Sequence, residues 1–150
     1  MKMLDAGRPS AIHRPPPTMT AVELRLVLHA HEEITIVDVR DHAAFVPRHL
    51  PGSINCPDSQ TTALVKRMQT ISRAVLVCDN GRASSLVART LGFVGFREIA
   101  SLEGGIEAWV AAGGQLAETT RSGFERILPR EIESEPKLGF FARLLGSVTK

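Results

Sequence analysis

Cysteine is scarce in this sequence: Cys56 and Cys78 are the only two among 150 residues. Two thiols cannot build a disulfide scaffold, so a reducing, cytoplasmic setting is the expectation. No C-x-x-C or comparable ligand spacing occurs, and neither a metal nor any other cofactor is expected. Charge of either sign is not in excess, since Lys and Arg number 18 against 16 Asp and Glu, a formal net charge of +2. With no basic run, a nucleic-acid partner is not expected. No apolar stretch approaches the ~20 residues of a membrane span. The first residues lack the apolar core of a secretory signal. What is present is a 43% hydrophobic content, enough for the core of one domain with extra sequence at its ends.

Residues 1–17 read as a flexible leader, rich in Gly and Pro and carrying the run Pro15-Pro16-Pro17. Its basic residues Lys2, Arg8 and Arg14 also fit a transit peptide, though an extended leader fits better. The first ordered element is expected to open at Thr20, where Thr20 and Glu23 form a capping box and Met19 can staple onto Leu24. The following helix is read with Val22, Leu24, Leu26, Val27 and Leu28 on one broad apolar side. Ile34 to Val37 reads as a buried strand ending at Asp38, Asp41 to Phe45 as a helical turn, and Ser53 to Cys56 as a short strand. Thr62 to Ile71 is helical in spacing. Ala74 to Val77 is a second buried strand that runs into Cys78. Ser84 to Leu91 is read as a helix with Leu86, Val87 and Leu91 inward and Gly92 ending it. Phe96 to Ile99 reads as a strand, and Leu102 to Ala112 as a helix entered over Gly104 and Gly105. Alternating strands and helices with short loops argue an α/β domain with a mostly parallel sheet. Residues 119–136 read as a polar linker, followed in 137–147 by an amphipathic patch of Leu138, Phe140, Phe141, Leu144 and Leu145.

The most informative stretch runs from Val75 through Cys78, Asp79, Asn80, Gly81, Arg82 and Ala83 to Ser84. A buried strand delivers Cys78 to the carboxyl edge of the sheet, where open α/β folds bind ligands. A tight turn and a helix N-terminus follow, so that main-chain N–H groups and the helix's positive end can face the sulfur. That setting favours a nucleophilic thiolate and would equally hold a persulfide anion or the oxygens of an anionic donor. Arg82 adds positive charge to the loop, and Asp79 opposes it. On spacing alone, the same pattern serves equally for a buried structural cysteine ending a strand.

Four ordered blocks carry a resemblance that favours the nucleophile. Asp38-Val39-Arg40 resembles the D-x-R of the rhodanese family. Phe45, followed by Arg48-His49-Leu50-Pro51-Gly52-Ser53-Ile54-Asn55, resembles its F-x-x-G-H-I-P-G-A-x-N segment. Cys78 to Ser84 is similar to its loop C-x-x-G-x-R-S, and Leu102 to Trp109 to its closing L-x-G-G-x-x-A-W. Over residues 18–118 the resemblance implies an open parallel sheet of about five strands flanked by helices on both faces. It implies a thiosulfate sulfurtransferase-type activity, in which Cys78 carries sulfur as a persulfide between a small anionic donor and a thiol or cyanide acceptor. Departures are visible. Ala83 stands where the family places an Arg, with Arg82 one place early, so thiosulfate would be gripped differently. Ala44 stands where a Glu often precedes the Phe, removing one partner for Arg40. Arg48 replaces a common Gly.

Other residues read more plainly. Asp38 and Arg40 are expected to pin loops as a buried pair, and His49 to hydrogen-bond a turn rather than act as a base. Cys56 fits core filler, the alternative being a resolving thiol for Cys78. Trp109 is expected in the core with its indole N–H on a carbonyl, and Gly104 and Gly105 to let a helix approach the Cys78 loop. The 137–147 patch fits docking on protein, or lying on a membrane with Lys137, Arg143 and Lys150 outward. Two rival functions remain at this level. One is a non-catalytic binding or sulfur-carrier module. The other is a phosphatase or arsenate reductase on the same fold, which would want Arg where Ser84 stands.

Overall fold

A computed structural model describes residues 17–130. In chain order the elements are β1 (Thr18–Met19), α1 (Ala21–His29), β2 (Thr35–Asp38), α2 (His42–Phe45), β3 (Ile54–Asn55), α3 (Thr61–Met68), β4 (Ala74–Val77), α4 (Arg82–Val94), β5 (Ile99–Leu102), α5 (Gly105–Ala111), β6 (Ala117–Thr119) and β7 (Glu125–Ile127). Five strands form one sheet in the order β1-β5-β4-β2-β3, and every pairing in it is parallel.

The β-branched run Ala74–Val77 is buried on both faces because β4 lies at the centre of this sheet. Side chains alternate along it. Ala74, Leu76 and Cys78 face a core built with Leu64 and Met68 of α3 and Ala88 and Leu91 of α4. Val75 and Val77 face the opposite core, with Ala21 and Leu24 of α1 and Ile106 and Trp109 of α5. The sheet is thus covered by helices on both faces. Burial of each large side chain contributes about 1.5–3 kcal/mol. The Trp109 indole N–H donates to the Gln115 carbonyl at 2.7 Å. The capping box at α1 is present: Thr20 Oγ1 accepts from the Glu23 N–H at 3.2 Å, and Glu23 Oε2 accepts from the Thr20 N–H at 2.7 Å.

Several sequence expectations are corrected. Order begins before Thr20, because β1 pairs with β5 and the Pro17 carbonyl accepts from the Ser101 N–H at 2.9 Å. A two-residue strand is too short to show alternation. Helix α1 buries only Ala21 and Leu24, while Val22 and Leu26 face outward; its contact with the sheet is one narrow edge rather than a broad side. Helix α4 continues through Gly92 and ends at Gly95, whose φ of +112° is a left-handed cap. It buries Ser84, Ala88 and Leu91, and Leu86 is exposed. Its rotation follows from Ser84, which is held against Cys78. Strand β5 starts at Ile99 and takes in Leu102, so the last helix opens at Gly105 instead. Buried Ser101 disguised that strand as a polar segment.

The expected linker contains a hairpin. Strands β6 and β7 pair antiparallel, Ala117 opposite Ile127. Ala117 also bridges to His49, and Glu125 of β7 accepts from the Gly52 N–H at 2.9 Å and lies 3.3 Å from His49 Nε2. These contacts tie the hairpin to the segment between α2 and β3. Residues 1–16, 131–136 and the 137–147 patch lie outside the described residues.

Replacing Glu125 by Ala should therefore loosen the hairpin. We expect a stability loss of about 1–2 kcal/mol and faster amide hydrogen exchange at Gly52 and through β6 and β7. Unchanged exchange at Gly52 would show that the carboxylate does not tether it.

Candidate active site

Cys78 directly follows β4, so the centre of the sheet delivers it to the carboxyl edge between β2 and β5. The chain must then reverse into α4 within three residues. Gly81 makes this turn with φ +84°, and a Cβ there would lie 3.0 Å from the Gly104 nitrogen and the Leu102 oxygen. The N-terminus of α5 clamps the loop from the other side. Ile106 N–H donates to the Cys78 carbonyl at 2.9 Å, and Glu107 N–H to that of Asp79 at 3.1 Å. This approach needs glycine at 105, where a Cβ would meet the Cys78 oxygen at 2.3 Å. The expectation for Gly105 thus has a geometric basis, whereas a Cβ at Gly104 would meet Ala108 rather than the loop.

The sulfur itself is cradled. Gly81 N–H donates to Cys78 Sγ at 3.1 Å and Ser84 N–H at 3.4 Å. Ser84 Oγ lies 3.4 Å from the sulfur and 2.8 Å from Ser101 Oγ of β5. Main-chain donors aimed at one atom at a helix start form a cavity suited to negative charge. Not all loop amides take part: Arg82 N–H donates instead to Asn80 Oδ1 at 3.1 Å. Ser101 has no local signature in the sequence; only the β5–α4 packing reveals it.

The thiol is more enclosed than its place at the edge of the sheet suggests. Cys78 is 4% exposed, because the sheet packs it into the apolar layer with Val39 and Ala88. It nevertheless lines a cleft of about 280 Å³. The walls of that cleft are Val39, Arg40 and Asp41 after β2, Ala44 on α2, Asp58, and the loop residues Asp79, Asn80 and Ala83. Asp41 and Asp58 are walls that sequence reasoning did not single out.

Arg40 organises the other side. Its guanidinium holds the fully buried Asp38 through Nε at 3.0 Å and Nη2 at 2.7 Å, binds Asp79 through Nη1 at 3.0 Å, and donates to the Arg48 carbonyl at 2.6 Å. Burial works to lower its pKa, but hydrogen bonds and charge from Asp38, then Asp79, hold it raised and the group charged. The missing Glu at position 44 is thus replaced by Asp79 as a partner. Asp79 does not simply oppose loop charge; it neutralises Arg40. Arg40 is the cation that lines the cleft, whereas Arg82, at the first turn of α4, is exposed and is not among the cleft walls.

His49 is away from the cleft. Its Nδ1 donates to the Phe45 carbonyl at 2.8 Å and its ring stacks on Phe45 at 3.9 Å. Cys56 is a second free, buried thiol. Burial pushes its pKa up, with Arg67 working the other way. Among the described residues no group of three His, Cys, Asp or Glu side chains is placed to hold a metal ion, and no helix is long and apolar enough to cross a membrane.

Known proteins resemble this chain in sequence and fold. A family model described as Rhodanese-like domain matches residues 20–112. The thiosulfate sulfurtransferase GlpE of Pseudomonas syringae is 32% identical over 74 residues, covering 49% of this chain and 70% of that protein. A putative sulfur carrier protein, YrkF of Bacillus subtilis, is 23% identical over 93 residues, 62% of this chain and 50% of its own length. Among solved structures, a rhodanese-like domain from Anabaena sp. superposes with a TM-score of 0.60 at 27% identity, covering 68% of this chain and 79% of that one.

Two outcomes follow from the site. Arg40→Ala leaves Asp38 buried without its guanidinium and should cost about 3–5 kcal/mol in urea unfolding; a loss below about 0.5 kcal/mol would contradict the pinning role. Under native conditions, iodoacetamide should modify Cys78 at least about tenfold faster than Cys56, read by peptide mass mapping. Equal rates would mean that the cleft does not admit reagents to the sulfur.

Proposed function

The chain belongs to the rhodanese-like domain family, and on that premise we propose that it transfers sulfane sulfur through a persulfide on Cys78. The observation that carries this reading is the pair of amides, Gly81 and Ser84, donating to a sulfur that also borders a cleft. In the first step the Cys78 thiolate attacks the outer sulfur of a donor. A Cys78–sulfur bond forms, the donor's sulfur–sulfur bond breaks, and its electron pair leaves with the departing group, which is sulfite when the donor is thiosulfate. In the second step an acceptor nucleophile, a thiol or cyanide, takes the outer sulfur and restores the thiolate. This is covalent catalysis with ping-pong kinetics. The persulfide anion is the charged species that the amides are placed to hold.

The buried pair Asp38–Arg40 and His49 support the site through position rather than contact with sulfur. Both cysteines are free thiols, which suits a cytoplasmic setting. The name of the Bacillus relative suits the same intermediate: a sulfur carrier and a sulfurtransferase differ in what removes the sulfur, not in how Cys78 holds it. Phosphate chemistry is disfavoured, since Ser84 occupies the place of the required Arg and three carboxylates, Asp41, Asp58 and Asp79, line the cleft.

Incubation with a sulfane donor should add about 32 Da to Cys78 in intact and peptide mass spectra. Cyanide should discharge it as thiocyanate. Cys78→Ser should show neither adduct nor thiocyanate. Undiminished turnover in that variant, or an adduct on Cys56 alone, would overturn the assignment.

A further inference from the structure

The cleft beside Cys78 has an unusual balance of charge for an enzyme that accepts a dianion. Arg40 is the cation in its wall, and both faces of its guanidinium fork are engaged, by Asp38 behind and Asp79 in front. Asp41 and Asp58 also line the cleft, and neither forms a salt bridge among the described residues. Arg82, the other loop cation, is not a wall residue. Much of the partial positive charge at the start of α4 is already engaged: Gly81 and Ser84 N–H point at Sγ, and Arg82 N–H is taken by Asn80. A molecule entering the cleft meets two carboxylates without an ion-pair partner in the same walls that hold the sulfur.

We infer that the donor loading Cys78 is an organic persulfide bearing a cationic group beside its sulfur, in preference to a dianion such as thiosulfate; this rests on Cys78 acting as the sulfur carrier. The ammonium or guanidinium group pairs with Asp41 and Asp58 while the terminal sulfur reaches Cys78. The Cys78 thiolate attacks the terminal sulfur of RS–SH. A Cys78–sulfur bond forms, the donor's sulfur–sulfur bond breaks, and the leaving thiolate departs with the electron pair and takes up the proton as RSH, leaving the Cys78 persulfide anion. No oxidant or reductant is needed. A cleft of about 280 Å³ admits an aminothiol persulfide or a single side chain, at the small end of ligand sites. Two sources share this chemistry: a free aminothiol, or a persulfidated cysteine flanked by basic residues on a carrier protein.

The test varies donor charge at constant chemistry. Persulfides of cysteamine, 2-mercaptoethanol and mercaptoacetate carry an ammonium, no charge and a carboxylate, respectively. Their rates of loading Cys78 are followed by mass, beside thiosulfate and two peptides whose persulfidated cysteine is flanked by Lys or by Glu. At low salt the cysteamine donor should load about tenfold faster than the mercaptoacetate donor. The gap should narrow near 1 M salt, and again in the double variant Asp41→Asn with Asp58→Asn. A Lys-flanked peptide faster than cysteamine assigns the source to a protein carrier; a slower one assigns it to a free aminothiol. Equal rates across the three small persulfides, or a preference unmoved by the double variant, would overturn the charge preference alone. Failure of every donor to load Cys78 would instead remove the persulfide reading beneath it.

Discussion

Two main-chain amides aimed at one sulfur atom are the constraint around which this domain is arranged. Gly81 and Ser84 donate to Cys78 Sγ only because the chain turns sharply between β4 and α4. That turn requires a left-handed residue at 81 and a neighbour without a Cβ at 105. The N-terminus of α5 then fastens the loop by its own amides to the carbonyls of Cys78 and Asp79. The loop is held from both sides, so its donors face the sulfur before any ligand arrives. Such preorganisation lets a charged sulfur species be stabilised without rearrangement of the protein.

The opposite wall obeys a different requirement. Asp38 ends a central strand and is buried, where an isolated carboxylate would be costly. Arg40 answers it, and in doing so reaches Asp79 across the cleft and the Arg48 carbonyl. One side chain thereby connects the end of β2, the sulfur-bearing loop and the segment leading to His49. The same neutralisation leaves Asp41 and Asp58 to set the electrostatic character of the entrance. Fold stability and the charge of the cleft are thus coupled through a single guanidinium.

Much of this was legible in the residues. The apolar runs Ile34 to Val37 and Ala74 to Val77 announced central strands because a strand buried on both faces has no polar alternation. The Thr20–Glu23 cap and the Cys78–Gly81 turn carry their own local chemistry, and the ordered resemblance located Asp38, Arg40 and His49. What escaped depended on tertiary contact. Ser101 looked like a polar interruption but bonds to Ser84 within the core. Glu125 looked like linker but anchors a hairpin on Gly52 and His49. Leu86 and Leu26 looked like core, yet the helices are rotated by their anchoring residues and leave both outside. The partner of Asp79 was also out of reach, since Arg40 lies 39 residues earlier in the chain.

Backbone amide chemical shifts test the cradle most directly. Isotope-labelled protein should be followed while Cys78 takes up one sulfur atom and while cyanide removes it. The amide protons of Gly81 and Ser84 should both shift on loading, as the negative charge they face moves from Sγ to the outer sulfur, and return on discharge. Loaded protein in which those two resonances stay still, while others in the domain respond, would contradict the role assigned to them.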